Sequence, residues 1–147
     1  MKDPRIDKLA DLLVDYSVEV QPGEKVLIQG EIGAEPLLSA AFNKCLAKGA
    51  YPFVFPSTEN WMVSILKNAK PEQFEGVYGQ IKQFYETYDK RIRILGELNT
   101  KELSQFDPER VAELYKVFGS VLKIVLDRSA KGEMKWVACL YPTRAYA

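Results

Sequence analysis

Histidine is absent from all 147 residues. That removes the commonest general base and the commonest metal ligand together. Ser-His-Asp and Cys-His catalysis and His-bearing zinc sites are therefore excluded within these residues. No excess of charge is present either: Lys and Arg total 20, and Asp and Glu total 20. Nothing recruits nucleic acid or an anionic membrane by net charge. No apolar run approaches the roughly 18 residues that a membrane span needs. The start, Met1-Lys2-Asp3-Pro4, has no apolar segment of the kind a secretory signal carries. Cysteine is scarce, with Cys45 and Cys139 alone. Two thiols placed in a helix and a strand read as buried apolar groups in a reducing, cytoplasmic setting.

What the chain does have is a core. Hydrophobic residues make up 47% of it, enough for one folded domain. Asp3-Pro4 is a cap followed by proline at the first helical position. Ile6, Leu9, Leu12, Leu13 and Tyr16 then recur at helical spacing. Lys25 to Gly30 reads as a central strand. Ala34 to Lys48 reads as a helix with Leu37, Leu38, Ala41, Phe42, Cys45 and Leu46 inward, closed by Gly49. Tyr51 to Phe55 is a second strand. Short helices follow around Trp61 to Leu66, after Pro71, and from Gln80 to Tyr88. Arg91 to Gly96 is a third strand. Asn99 to Ser104 reads as a turn or a single helical turn. Asp107-Pro108 repeats the cap and starts a long helix to Lys131, with Gly119-Ser120 a candidate kink. Lys135 to Leu140 is the last strand. Strands alternating with helices predict an α/β fold: a parallel, flavodoxin-like or Rossmann-like sheet of four to five strands, with helices on both faces.

The motifs offer little chemistry. Gly30-Glu31-Ile32-Gly33 follows a strand and opens a helix, where a phosphate loop would lie. Its G-x-x-G spacing lacks the full fingerprint, and Glu31 and Glu35 bring negative charge to the same place. A plain strand-to-helix turn is the simpler reading. Glu31, Glu35, Glu59 and Glu97 fall near strand ends, but no spacing among them builds a metal site. Glu35 suits a helix N-terminus. Lys90, Arg91 and Arg93 read as solvated rim charges. The aromatic-rich stretch holding Trp61, Met62, Ile65, Tyr85 and Tyr88 has the composition of core and also of an interface.

Several stretches in order resemble one family. They are "DPRIDKLADLLVDYSVEVQPGEKVLIQG" from Asp3, "AEPLL" from Ala34, "KGAYPFV" from Lys48, "DKRIRILGELNTKELSQFDPER" from Asp89, and "KWVACLYPTRAYA" from Lys135. Together they resemble the amino-terminal domain of the thermophilic metallo-aminopeptidases, of aminopeptidase T and aminopeptidase S type. The resemblance implies a parent chain that continues past Tyr141-Pro142-Thr143 into a second, catalytic domain. It also implies that two divalent ions, zinc, cobalt or manganese, are held there and not in this chain. The parent would release amino-terminal residues from peptides and form a homodimer. This domain would help enclose the cavity. No catalytic or metal-ligating residue carries over onto these 147 positions. Trp61, Met62, Ile65, Tyr85, Tyr88, Tyr141 and Thr143 are the candidates for facing the cavity or an interface. No nucleic acid, membrane or cofactor of its own is expected. The alternative is a stand-alone flavodoxin-like interaction or small-ligand domain, which predicts a pocket at the strand ends. Its polar, closed carboxyl terminus is not what Tyr146-Ala147 suggests.

Overall fold

A computed structural model describes residues 3–96 and 103–141. The first helix, α1 (Pro4–Asp11), starts as its cap demands: Asp3 Oδ1 accepts the Arg5 backbone N–H at 2.9 Å. It runs on into a π-helical turn at Leu12–Ser17. Ala10, Leu13 and Val14 are buried, while Leu12 and Tyr16 are exposed. The stripe expected through Leu12 and Tyr16 is thus corrected. The buried face set by Ile6, Leu9 and Ala10 passes through Leu13 to Val14, and the wider turn keeps Val14 inward.

Among the described residues four strands follow: β1 (Lys25–Glu31), β2 (Tyr51–Ser57), β3 (Lys90–Leu95) and β4 (Lys135–Leu140). All pair in parallel, in the order β2-β1-β3-β4. Parallel neighbours need crossovers. Helix α2 (Glu35–Ala47) connects β1 to β2. Helices α3 (Glu59–Asn68), α4 (Pro71–Tyr78) and α5 (Lys82–Thr87) connect β2 to β3. Helix α6 (Pro108–Ala130) precedes β4. It is helical throughout, Gly119-Ser120 included.

Strand alternation splits the core. Val26, Ile28, Ile92 and Ile94 face α1 and α2, together with Leu37, Leu38, Ala41 and Cys45. Leu46, read as inward, is exposed instead, because α2 buries a narrower face than its apolar content suggests. Leu27 points to the other face and packs with Tyr85 of α5 and Val121 and Val125 of α6. A third cluster, Leu66, Phe74 and Leu114, joins α3, α4 and α6.

Two arginines of α6 fasten the shorter helices. Arg110 donates to the carbonyls of Leu66 at 2.7 Å and of Ala69, with its guanidinium 5.0 Å from the Phe74 ring centroid. Arg128 donates to the carbonyls of Tyr85 at 2.8 Å and Tyr88 at 2.6 Å. Each satisfies carbonyls that the end of a helix leaves without intrahelical partners.

Candidate functional site

In an open parallel sheet the ligand crevice lies beyond the carboxyl ends of the strands, where the winding reverses. Here that point falls between β1, whose chain crosses to β2, and β3, whose chain crosses the other way to β4. Glu31 ends β1, and Gly96 follows β3. A Cβ on Gly96 would overlap the Glu31 side chain, so glycine there is what lets Glu31 lie across the crevice. Gly30 is also tightly enclosed. Its Cβ would sit 2.8 Å from Leu38 Cδ2 and 3.0 Å from the Ile94 carbonyl oxygen.

Glu31 is half-buried, and burial pushes its carboxyl above the ordinary carboxylate range. Arg93 opposes that shift, the Glu59 charge adds to it, and a backbone N–H of Glu59 donates to the Glu31 carboxylate. Arg93 in turn is pulled down, first by burial and then by the like charge of Arg91.

Beneath this lies a dry polar cluster. Gln29, Tyr85 and Arg91 are 4%, 6% and 6% exposed. Arg91 Nε donates to Gln29 Oε1 at 2.6 Å, and Gln29 Nε2 donates to the Tyr85 hydroxyl at 3.0 Å. The Arg91 guanidinium lies 5.1 Å from the Tyr85 ring centroid, a cation–π distance. The rim-charge reading of Arg91 is therefore corrected: its side chain runs under α5, where Tyr85 and Gln29 supply the polar partners that burial requires. Lys90 is largely covered as well and pairs with Glu24 at 3.7 Å.

The arrangement is a buried hydrogen-bonded network beside a half-buried carboxylate. Among the described residues, no three His, Cys, Asp or Glu side chains gather to hold a metal. Histidine, the commonest ligand of such ions, is absent from the sequence. The Gly30 to Gly33 turn becomes a 3-10 turn, Ile32–Ala34, leading into α2. Glu35 at the head of α2 accepts the Ser39 hydroxyl at 2.5 Å. A shallow groove of about 380 Å³ runs beside it, walled mainly by Ile32, Leu38, Phe42, Val54 and Pro56, with Glu35, Ser39 and Asn43 also on its lining.

Those of the residues singled out from sequence that the structure describes are not brought to one place. Trp61 is 52% exposed on α3. Met62 and Ile65 pack on the third cluster, and Tyr85 and Tyr88 belong to the second. Tyr141 packs against the first cluster and donates its N–H to the Leu95 carbonyl at 2.9 Å. Thr143, with Pro142 and Glu97, lies outside the described residues. Sequence reasoning missed Gln29, and it missed the burial of Arg91. The available signal was alternation: Arg91-Ile92-Arg93-Ile94 puts every second residue on one face, which is the face α5 and α6 cover.

The model of the thermophilic metalloprotease family (M29) matches residues 2–147, nearly the whole chain. This chain belongs to the M29 family. Among solved structures, wild-type AmpT from Thermus thermophilus is similar to the M29 chain at a TM-score of 0.77 and 19% identity. That match covers 95% of this chain and 36% of AmpT, so the M29 chain spans about a third of that protein. An alcohol dehydrogenase superfamily protein from Novosphingobium aromaticivorans aligns at 22% identity, over 95% of this chain and 36% of its own, with a TM-score of 0.43. CurK enoyl reductase aligns at 18% identity, over 90% and 51%, with a TM-score of 0.37. Scores as low as those two carry no argument. No curated protein matches the M29 chain.

Proposed function

We propose that this chain is the non-catalytic amino-terminal domain of a longer, cytoplasmic, dinuclear metallo-aminopeptidase. The observation that carries the reading is one of proportion. The family model matches residues 2–147, yet 95% of this chain covers only 36% of AmpT. The remaining length would supply the domain that holds two zinc, cobalt or manganese ions. Such ions polarise the scissile carbonyl and activate a water for hydrolysis of the amino-terminal peptide bond. The donor-poor make-up of these 147 residues favours a supporting role, in which the domain helps to form the homodimer and to enclose the cavity that peptides enter. Trp61 offers an exposed aromatic surface on α3 for that purpose. Tyr85 and Tyr88 pack α5 on the second cluster. β4 ends at Leu140, and polypeptide following Tyr141 would lead to the second domain.

The test compares the 147-residue chain with the product of its whole reading frame. Each is supplied with zinc, cobalt or manganese and assayed on leucyl-p-nitroanilide. Turnover is expected from the longer product alone. Turnover by the 147-residue chain, or none by a longer product with any of the metals, would refute the proposal.

A further inference from the structure

The two edges of the sheet are built differently. On β2, the Tyr51 N–H donates to the Glu24 carbonyl at 2.8 Å. Backbone direction alternates along a strand. Tyr51, Phe53, Phe55 and Ser57 therefore turn their polar groups to β1, and Pro52, Val54 and Pro56 turn theirs outward. Two of those three outward residues are prolines and have no N–H to offer. This edge is closed to further pairing.

On β4, the Tyr141 N–H donates to the Leu95 carbonyl at 2.9 Å. Lys135, Val137, Cys139 and Tyr141 thus turn to β3, and Trp136, Ala138 and Leu140 turn outward. All three outward residues keep an N–H, and none is charged. Their side chains lie opposite Val137 and Cys139, which pack on the first cluster, and they are exposed: Trp136 by 39% and Leu140 by 59%. The charge at this strand, Lys135, sits at its start and is engaged by Glu19 at 2.9 Å. An edge meant to face water carries prolines, charges or a bulge. Among the described residues, β4 pairs with a strand on one side only, and an apolar stripe lies on the same three outward residues. Moreover, the order β2-β1-β3-β4 is that of flavodoxin-like sheets, which continue with a fifth strand beside β4.

Resting on the reading that this chain is the first part of a longer protein, we propose that β4 is an interior strand of the complete molecule. A fifth, parallel strand from polypeptide beyond residue 147 pairs with the backbone of Trp136, Ala138 and Leu140 and covers the Trp136 and Leu140 side chains. Parallel addition needs a crossover of about a dozen residues or more. Only six residues follow Tyr141 in these 147, so the strand cannot come from among them. The 64% of AmpT outside the match, 100 minus 36, is ample length for it.

Amide hydrogen exchange on the 147-residue chain and on the whole reading-frame product tests this. In the shorter chain, the amides of Trp136, Ala138 and Leu140 exchange fast while Val137 and Cys139 are protected. In the longer product the same three slow by at least about 100-fold, as interior ladder amides do. Equal, fast exchange of the three in both overturns the proposal. So does protection in the shorter chain that rises with protein concentration, which would seat a second copy on the edge. Assaying peptidase turnover on the same sample separates the two readings. Turnover with unprotected amides sinks the fifth strand alone, and protected amides without turnover sink the peptidase reading alone. A reading frame ending at Ala147 sinks both.

Discussion

Replacing Tyr85 with phenylalanine deletes one oxygen from a place water does not reach. Tyr85, Gln29 and Arg91 are each at most 6% exposed. The ring would stay, and with it the 5.1 Å guanidinium contact and the packing on Leu27, Val121 and Val125. Three polar contacts would go. The hydroxyl donates to Gln29 Oε1 at 3.2 Å, but that oxygen keeps the Arg91 Nε donor. The one from Arg91 Nη2 measures 3.4 Å, too long to weigh much. The one from Gln29 Nε2 measures 3.0 Å, and its loss leaves a buried donor unpaired. That costs about 1–3 kcal/mol. Taking roughly 2 kcal/mol, a domain of this size should lose about 4–8 °C in Tm. Urea unfolding followed by circular dichroism gives the number directly, with Tyr88→Phe as the half-buried comparison and an unchanged m-value as the check on two-state behaviour. Tyr85→Leu, which also removes the ring under Arg91, should cost more than Tyr85→Phe. A loss below about 0.5 kcal/mol for Tyr85→Phe, the range of an ordinary surface change, would show that water replaces the hydroxyl. The idea of a sealed polar cluster would then be wrong.

Three other outcomes are expected. Gly30→Ala should destabilise by about 1–3 kcal/mol through overpacking, since the new methyl meets Leu38 at 2.8 Å and the Ile94 carbonyl at 3.0 Å; an unchanged melting curve contradicts it. Burial pushes the Cys45 thiol up to about 11. The native chain at pH 8 should therefore show Cys139 reacting first with a disulfide reagent, and Cys45 only after unfolding. The unfolded thiol loses its proton near 9.0 and the folded one near 11, so the folded state holds more protons in that window. Stability should fall from pH 9 to 11, and fall less in Cys45→Ala; identical slopes for the two would refute this.

The helix starts were legible because capping is local chemistry. Asp3 and Asp107 each accept the backbone N–H two residues on, and each is followed by proline. Strand positions were legible from apolar runs, and the α/β class followed from alternation. The strand order was not, since parallel pairing joins residues far apart: Ile28 faces Ile92 across the sheet. The Tyr16 stripe misled because two helical faces fit the same apolar residues, and the wider π-helical turn decided between them. Arg91 misled for another reason. A charged residue in a strand looks solvated until its partners are known, and those partners, Gln29 and Tyr85, come from β1 and α5.

The hold of α6 on its smaller neighbours has a consequence for exchange of residue types. Arg110 reaches the carbonyls of Leu66 and Ala69 from different nitrogens of one planar group. A lysine would keep the charge but grip from a single point, without the rigid fork. The platform that carries Trp61 would then swivel about its apolar contacts, with its tilt no longer set by a two-point latch.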